Sequence, residues 1–211
     1  MNRLVPWAVA AGVAALAFVS WRFLLPHRGQ YEEPAYTVEA SHAGFEVRAY
    51  APTIEARVTL KGTRQAATRE GFGVLAGYIF GGNTAQQSIA MTTPVSAAPA
   101  SQTIDMTTPV STAPASDGWT VAFTMPSTWA LDTLPRPDDD RVALVEVSGV
   151  RAAVRTFRGR GAASAVEAEE AALRAAMRDA GLPSEGPATI AQFDPPWVLG
   201  PWRRNEVQIR L

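Results

Sequence analysis

Two histidines, His27 and His42, are the side chains of this 211-residue chain best suited by type to general acid–base chemistry. Neither is tied by spacing to a third group that would orient it. A Ser-His-acid triad assembles in space rather than in sequence, but no Gly-x-Ser-x-Gly elbow is present to mark a nucleophile. The run GFGVLAG at Gly71–Gly77 lacks the Lys-Ser/Thr ending of a phosphate loop and lies inside a helical pattern. PDDD at Pro137–Asp140 offers carboxylates to a cation, yet an acidic run of this kind reads first as a solvated loop. His and acid spacings suited to a metal are missing. Cysteine is absent, which removes disulfides, thiolate ligands and thiol nucleophiles. The expectation is a protein that is not an enzyme.

What remains is the binding of an apolar guest. Met91, Met106, Phe72, Tyr78, Phe123, Met125, Phe193 and Trp197 supply large, polarisable side chains suited to a flat hydrophobic molecule. The same residue types at helix and strand spacing pack cores first, so the elements that position them decide.

The totals fit a globular chain: 47% apolar, 18% charged and a net charge of −1. No run of Lys or Arg offers a nucleic-acid footprint, so no nucleic-acid partner is expected. Leu4–Trp21 carries no charge and as a helix spans about 27 Å at about 1.5 Å per residue, close to a bilayer core. Trp7 and Trp21 fall near its ends. Residues 1–26 are read as an N-terminal transmembrane anchor, with a signal peptide cleaved near Ala15-Leu16-Ala17 as the alternative. The expected localisation is the membrane, through this single pass, with the side unresolved. Residues 27–34 form a polar linker, and the domain proper is 35–211.

Within the domain, alternation and the turn at Ala43-Gly44 give a β-hairpin. In it Tyr36, Val38, Phe45 and Val47 face one way, and Glu39, Glu46 and Arg48 the other. A third strand covers Ile54–Leu60. Thr63 caps a first helix whose apolar face carries Phe72, Leu75, Tyr78 and Ile79. Gly71, Gly73 and Gly77 interrupt it at about 1 kcal/mol each relative to alanine, which points to a close approach on its backbone. Further strands are expected at Trp119–Pro126, Val142–Val147 and Ala152–Phe157. A second helix is expected from Ser164, with Ser164 and Glu167 as a capping box. Val166, Leu173, Met177 and Ala180 mark one side of it, and Glu170 and Arg174 pair at i,i+4. Strand, loop and strand close the chain.

Two internal repeats stand out. ARVTLKG before the first helix and AVRTFRG before the second divide the domain into two β-α-β-β halves. This gives the α+β class, with a pseudo-twofold antiparallel sheet covered by two helices. A shorter repeat, Ile-x-Met-Thr-Thr-Pro-Val, occurs at Ile89–Val95 and at Ile104–Val110. Proline ends each copy. The pair reads as a hairpin-like excursion in which the first copy is the more buried and either copy could fill one slot.

The motifs GFEVRAYAPTIEARV, GFGVLAGYIFGGN, IAMTTPV, VAFTMPS, FDPP and RRNEV, in this order, resemble the signatures of the SOUL/haem-binding protein family. The resemblance spans about Ala35 to Leu211. It implies a distorted, barrel-like antiparallel sheet with two helices, and non-catalytic binding of haem or another tetrapyrrole as carrier, buffer or sensor. It places Arg69, Phe72, Leu75, Ala76 and Ile79 on a groove wall formed by the first helix; where such a groove lies beneath the doubled motif, Met91 is the better placed of its two methionines to bind the guest. Arg69 would pair with a propionate. Some relatives carry a proposed axial histidine where this chain has Ala49; His42 is the nearby alternative as a metal ligand. The strand-helix-strand-strand duplication also resembles bacterial effector-binding domains. That reading implies a cationic or other apolar guest, with Glu55 or Glu146 as its counter-charge. A ligand-free interaction domain is the third reading.

Overall fold

The computed structural model describes residues 31–85 and 101–211. The strands are β1 Tyr36–His42, β2 Phe45–Tyr50, β3 Thr53–Leu60, β4 Asn83–Thr84, β5 Val110–Ala115 and β6 Gly118–Thr124. They continue with β7 Arg136–Pro137, β8 Ala143–Val147, β9 Arg151–Arg158, β10 Ala188–Gln192 and β11 Arg204–Arg210. Two helices, α1 Arg64–Ile79 and α2 Ala163–Asp179, and a short 3-10 turn at Gly200–Trp202 complete the described chain. Nine strands form one curled, wholly antiparallel sheet in the order β1-β2-β9-β11-β10-β5-β6-β3-β8, while β4 pairs with β7 in a separate ribbon.

The order explains the duplicated half. From the β10–β5 boundary outward, β10-β11-β9 on one side answers β5-β6-β3 on the other. Each set belongs to one strand-helix-strand-strand unit, β3-α1-β5-β6 or β9-α2-β10-β11.

Alternation then sorts the side chains. Ala56 and Val58 on β3 and Val121 and Phe123 on β6 point to α1, and with Leu75, Tyr78 and Ile79 they form one buried core. Val47, Ala153, Val207, Ile209 and Ile190 face α2 and form a second core with Val166, Leu173 and Met177. Both helices therefore lie on one face of the sheet.

Local signals fared unevenly. Thr63 caps α1, its hydroxyl accepting from the Ala66 N–H at 3.3 Å. The capping box expected for α2 does not form: the N-cap is Ala162, with no side-chain cap, and Ser164 lies one residue inside. Arg174 reaches Glu170 at 2.7 Å as expected, but Ala180 is the exposed C-cap. In β1 a register shift between Val38 and Ala40 turns Tyr36 to the side of Arg48 and Tyr50, opposite to the face expected for it.

The expected membrane localisation is corrected. Among the described residues no helix is long and apolar enough to cross a membrane. α1 and α2 have 16 and 17 residues, each with charged residues and one buried face, against the roughly 20 apolar residues a span needs. Leu4–Trp21, on which the anchor was read, lies outside the described residues, as does the first Met-Thr-Thr-Pro-Val copy. The second copy is described. Its Ile104 is fully buried against α1, and its Val110 opens β5.

Candidate functional site

Among the described residues each face of the sheet carries a surface that can receive a ligand. The first is the outer side of α1. Its inner residues, Leu75 and Ile79, are packed into the core and back this surface rather than line it. Arg69, Phe72, Gly73, Gly77 and Phe80 face outward, with Ala76 half-buried between them. Phe72 is 38% exposed and meets Phe123 edge-on at 5.5 Å between centroids; Phe80 is 60% exposed. A methyl group added at Gly73 or Gly77 would meet nothing within 4 Å, so these positions leave the helix backbone bare. Arg69 forms no ion pair or hydrogen bond among the described residues.

A shallow trough runs between this side of α1 and the Asp138–Arg141 segment. Its far wall carries its own pairs, Arg141 to Asp139 at 2.7 Å and to Glu70 at 3.4 Å. Hydrogen bonds from Arg141 hold the exposed Asp139 carboxyl down at about 2. Tyr78 anchors the helix end from within, donating to the Pro135 carbonyl at 2.9 Å. Burial pushes its phenol up to about 12.

His42 is far from this surface in the sheet. It sits exposed at the tip of the β1–β2 hairpin, stacked on Phe45 at 4.6 Å, while α1 covers β3 and β6 near the opposite edge. The structure does not bring His42 together with Arg69 and Phe72. Met91 lies outside the described residues.

The second surface is a cleft of about 280 Å³ on the concave face, away from both helices. One register row explains it: Thr156, Glu206, Ala191, Ser111, Ala122 and Arg57 lie side by side across β9, β11, β10, β5, β6 and β3. Small residues occupy the middle of the row and charged ones flank it, so curvature opens a hollow. Arg48 on β2 donates to Glu206 at 3.1 Å and to Glu46 at 2.8 Å. The Glu206 carboxylate also accepts from Gln208 at 3.0 Å. The Tyr50 hydroxyl accepts from Arg48 and Gln208, and the Arg48 guanidinium lies 4.3 Å from the Tyr36 ring centre. Burial and the Glu206 charge push the Tyr50 phenol up to about 12. Burial alone would depress the Arg48 guanidinium, but Glu206 and its hydrogen-bond partners raise it.

Sequence reasoning missed this cleft, because its residues are the polar positions of alternating strands and read as a solvated face. Within RRNEV, Glu206 is buried between the buried Asn205 and Val207, which nothing in the motif itself signals. Of the two carboxylates proposed for a cationic guest, Glu55 lines the cleft but is held by Arg57 at 2.7 Å, and Glu146 is exposed.

A curled antiparallel half-barrel with two helices on one face and a cleft on the other defines a class of α+β domain with room for small molecules. The sequence matches the SOUL heme-binding protein family over residues 31–210, and the chain belongs to that family. Among curated proteins nothing matches. Solved structures share the fold at low identity. The EcmrR C-terminal domain has a TM-score of 0.52 and 10% identity, covering 83% of this chain and 97% of that one. A hydrolase from Listeria innocua has a TM-score of 0.50 and 14% identity, covering 81% and 92%. An uncharacterized conserved protein from Listeria innocua has 0.50 and 15%, covering 80% and 92%.

Proposed function

We propose that this chain binds haem or a related tetrapyrrole non-catalytically, on the outer side of α1. Membership of the SOUL heme-binding family carries the reading. The residues of α1 are consistent with it. A planar macrocycle suits a helix face whose glycines leave the backbone open and whose Phe72 and Phe80 expose aromatic surface. Arg69, without a partner among the described residues, suits a propionate carboxylate, to which a planar guanidinium can donate two parallel hydrogen bonds. His42 plays no part in this arrangement, so iron ligation by it is not proposed.

The test is titration of the full chain with haemin and with metal-free protoporphyrin, followed by the Soret band. Saturable binding of both is expected, unchanged by His42→Ala and weakened by Arg69→Ala and Phe72→Ala. Loss of binding in His42→Ala with α1 variants unaffected would move the site to the hairpin. Binding of neither compound would sink the reading.

A further inference from the structure

We infer that the concave cleft is a second binding site, independent of α1, for a neutral polyhydroxylated ring compound of one or two rings, a simple sugar by chemistry. Charge, hydrogen bonding and size each narrow the class.

Charge comes first. The cleft carboxylates are already matched: Glu206 by Arg48 at 3.1 Å and Glu55 by Arg57 at 2.7 Å. A cationic guest would have to draw a carboxylate from its arginine; an anionic guest could reach Arg210 and the free end of Arg57, but only within a lining that balances these and Arg48 with Glu33, Glu55 and Glu206. Leaving one partner of a buried pair uncompensated is strongly unfavourable. A neutral guest leaves both pairs intact.

Unused hydrogen-bonding capacity comes second. Tyr50 accepts two N–H groups, yet among the described residues its own proton has no acceptor, and the Tyr36 hydroxyl has no partner. The Arg57 Nε is used, while its two terminal nitrogens make no hydrogen bond among the described residues. The floor adds the Ser111 hydroxyl, which can donate or accept. A guest carrying both donors and acceptors on one small ring complements such a lining, as a sugar's hydroxyls do. The Tyr36 ring, 43% exposed, offers a flat apolar surface for the C–H face of the ring.

Size comes third. About 280 Å³ lies at the lower end of ligand pockets, which run from roughly 300 to 1,000 Å³. One ring or two fit; a tetrapyrrole does not.

The experiment is saturation-transfer NMR and calorimetry on the full chain with methyl β-D-glucopyranoside, methyl β-D-galactopyranoside and maltose. Methyltriphenylphosphonium serves as a lipophilic monocation control. Saturable binding of at least one sugar is expected, with a Kd of about 1 mM or tighter. Tyr50→Phe, which keeps the ring, should weaken it by about tenfold for one lost hydrogen bond. Ser111→Leu, which fills the floor, should abolish it, with circular dichroism confirming the fold of each variant. Haemin binding should be unchanged in Tyr50→Phe. Three results overturn the inference: no saturable signal from any sugar, sugar binding indifferent to both substitutions in folded protein, or binding of the phosphonium alone.

Discussion

Arg48 and Glu206, 158 residues apart in sequence, form an ion pair of 3.1 Å across the concave face, and both are buried, at 7% and 2% exposure. Glu46 shares the same guanidinium at 2.8 Å. Arg48→Ala would strand a buried carboxylate, for which a loss of about 3–5 kcal/mol is expected. Pairing Arg48→Met with Glu206→Leu should recover most of that loss, because the desolvation penalty goes with the charges. Urea unfolding of the two proteins checks both statements. A single-variant loss under about 1 kcal/mol would place the pair with exposed salt bridges, which are worth no more than that.

Alkaline pH should loosen the fold through two phenols. Tyr50 and Tyr78 are both pushed up to about 12 from an ordinary 10, in each case chiefly by burial. In the unfolded chain they lose their protons first, so above pH 10 the unfolded state binds fewer protons and stability falls as pH rises. The contribution is fully present below pH 10 and is lost between 10 and 12, at about 2–3 kcal/mol for each group. Tyr78→Phe should lower stability at neutral pH by about 1 kcal/mol through the lost bond to Pro135. It should also flatten the alkaline slope. A slope identical to the parent's would show that Tyr78 titrates as a free phenol.

The three glycines of α1 should answer differently to alanine. A methyl at Gly71 would stand 2.7 Å from the Val121 side chain, the close approach that the glycine-rich helix foreshadowed. Gly71→Ala is therefore expected to lose about 1–3 kcal/mol through overpacking. Gly73 and Gly77 face open space, so alanine there should gain up to about 1 kcal/mol each through helix propensity. Under the proposed function the same two methyls stand between haem and the helix backbone. Gly73→Ala with Gly77→Ala should then stabilise the protein while weakening haemin binding. Thermal unfolding and Soret titration of the same samples separate the two effects.

The fold was legible where one local signal sufficed. The Ala43-Gly44 turn, the Thr63 cap and the duplicated β-α-β-β order all follow from neighbours in sequence, and all are present. β5 was hidden because Pro114 falls within Val110–Ala115, and a proline in a run argues against a strand. Tyr36 was given to the wrong face because one bulge reverses the alternation, which no composition marks. The cleft was out of reach for a different reason. Arg48, Glu206 and Arg57 lie on three strands whose approach depends on curvature over small residues at Ala191, Ser111 and Ala122.

The short repeat is longer than its motif. Residues 87–101 and 102–116 differ only at Ser88/Thr103, Ala90/Asp105 and Ala97/Thr112. The described contacts of this region are made by the second copy. The Gln102 backbone exchanges hydrogen bonds with Asn83, and Ile104 N–H donates to the Ile79 carbonyl at 2.8 Å. Thr112 meets Thr68 at 3.1 Å. Joining Gln86 to Gln102, without residues 87–101, keeps every one of these contacts. Stability should then stay within about 1 kcal/mol of the parent, since the number of residues joining two fixed points changes closure entropy only logarithmically. Removing 102–116 instead yields a chain of the same length, differing only at those three positions. Thr103 and Asp105 are exposed, whereas Thr112 is buried. The second deletion should therefore be the less stable by about 0.5–1.5 kcal/mol, one hydrogen bond's worth. Thermal unfolding of the three proteins decides it. Equal stability of the two deletions would mean the Thr68–Thr112 contact contributes nothing, and collapse of the first would mean residues 87–101 are required for the fold.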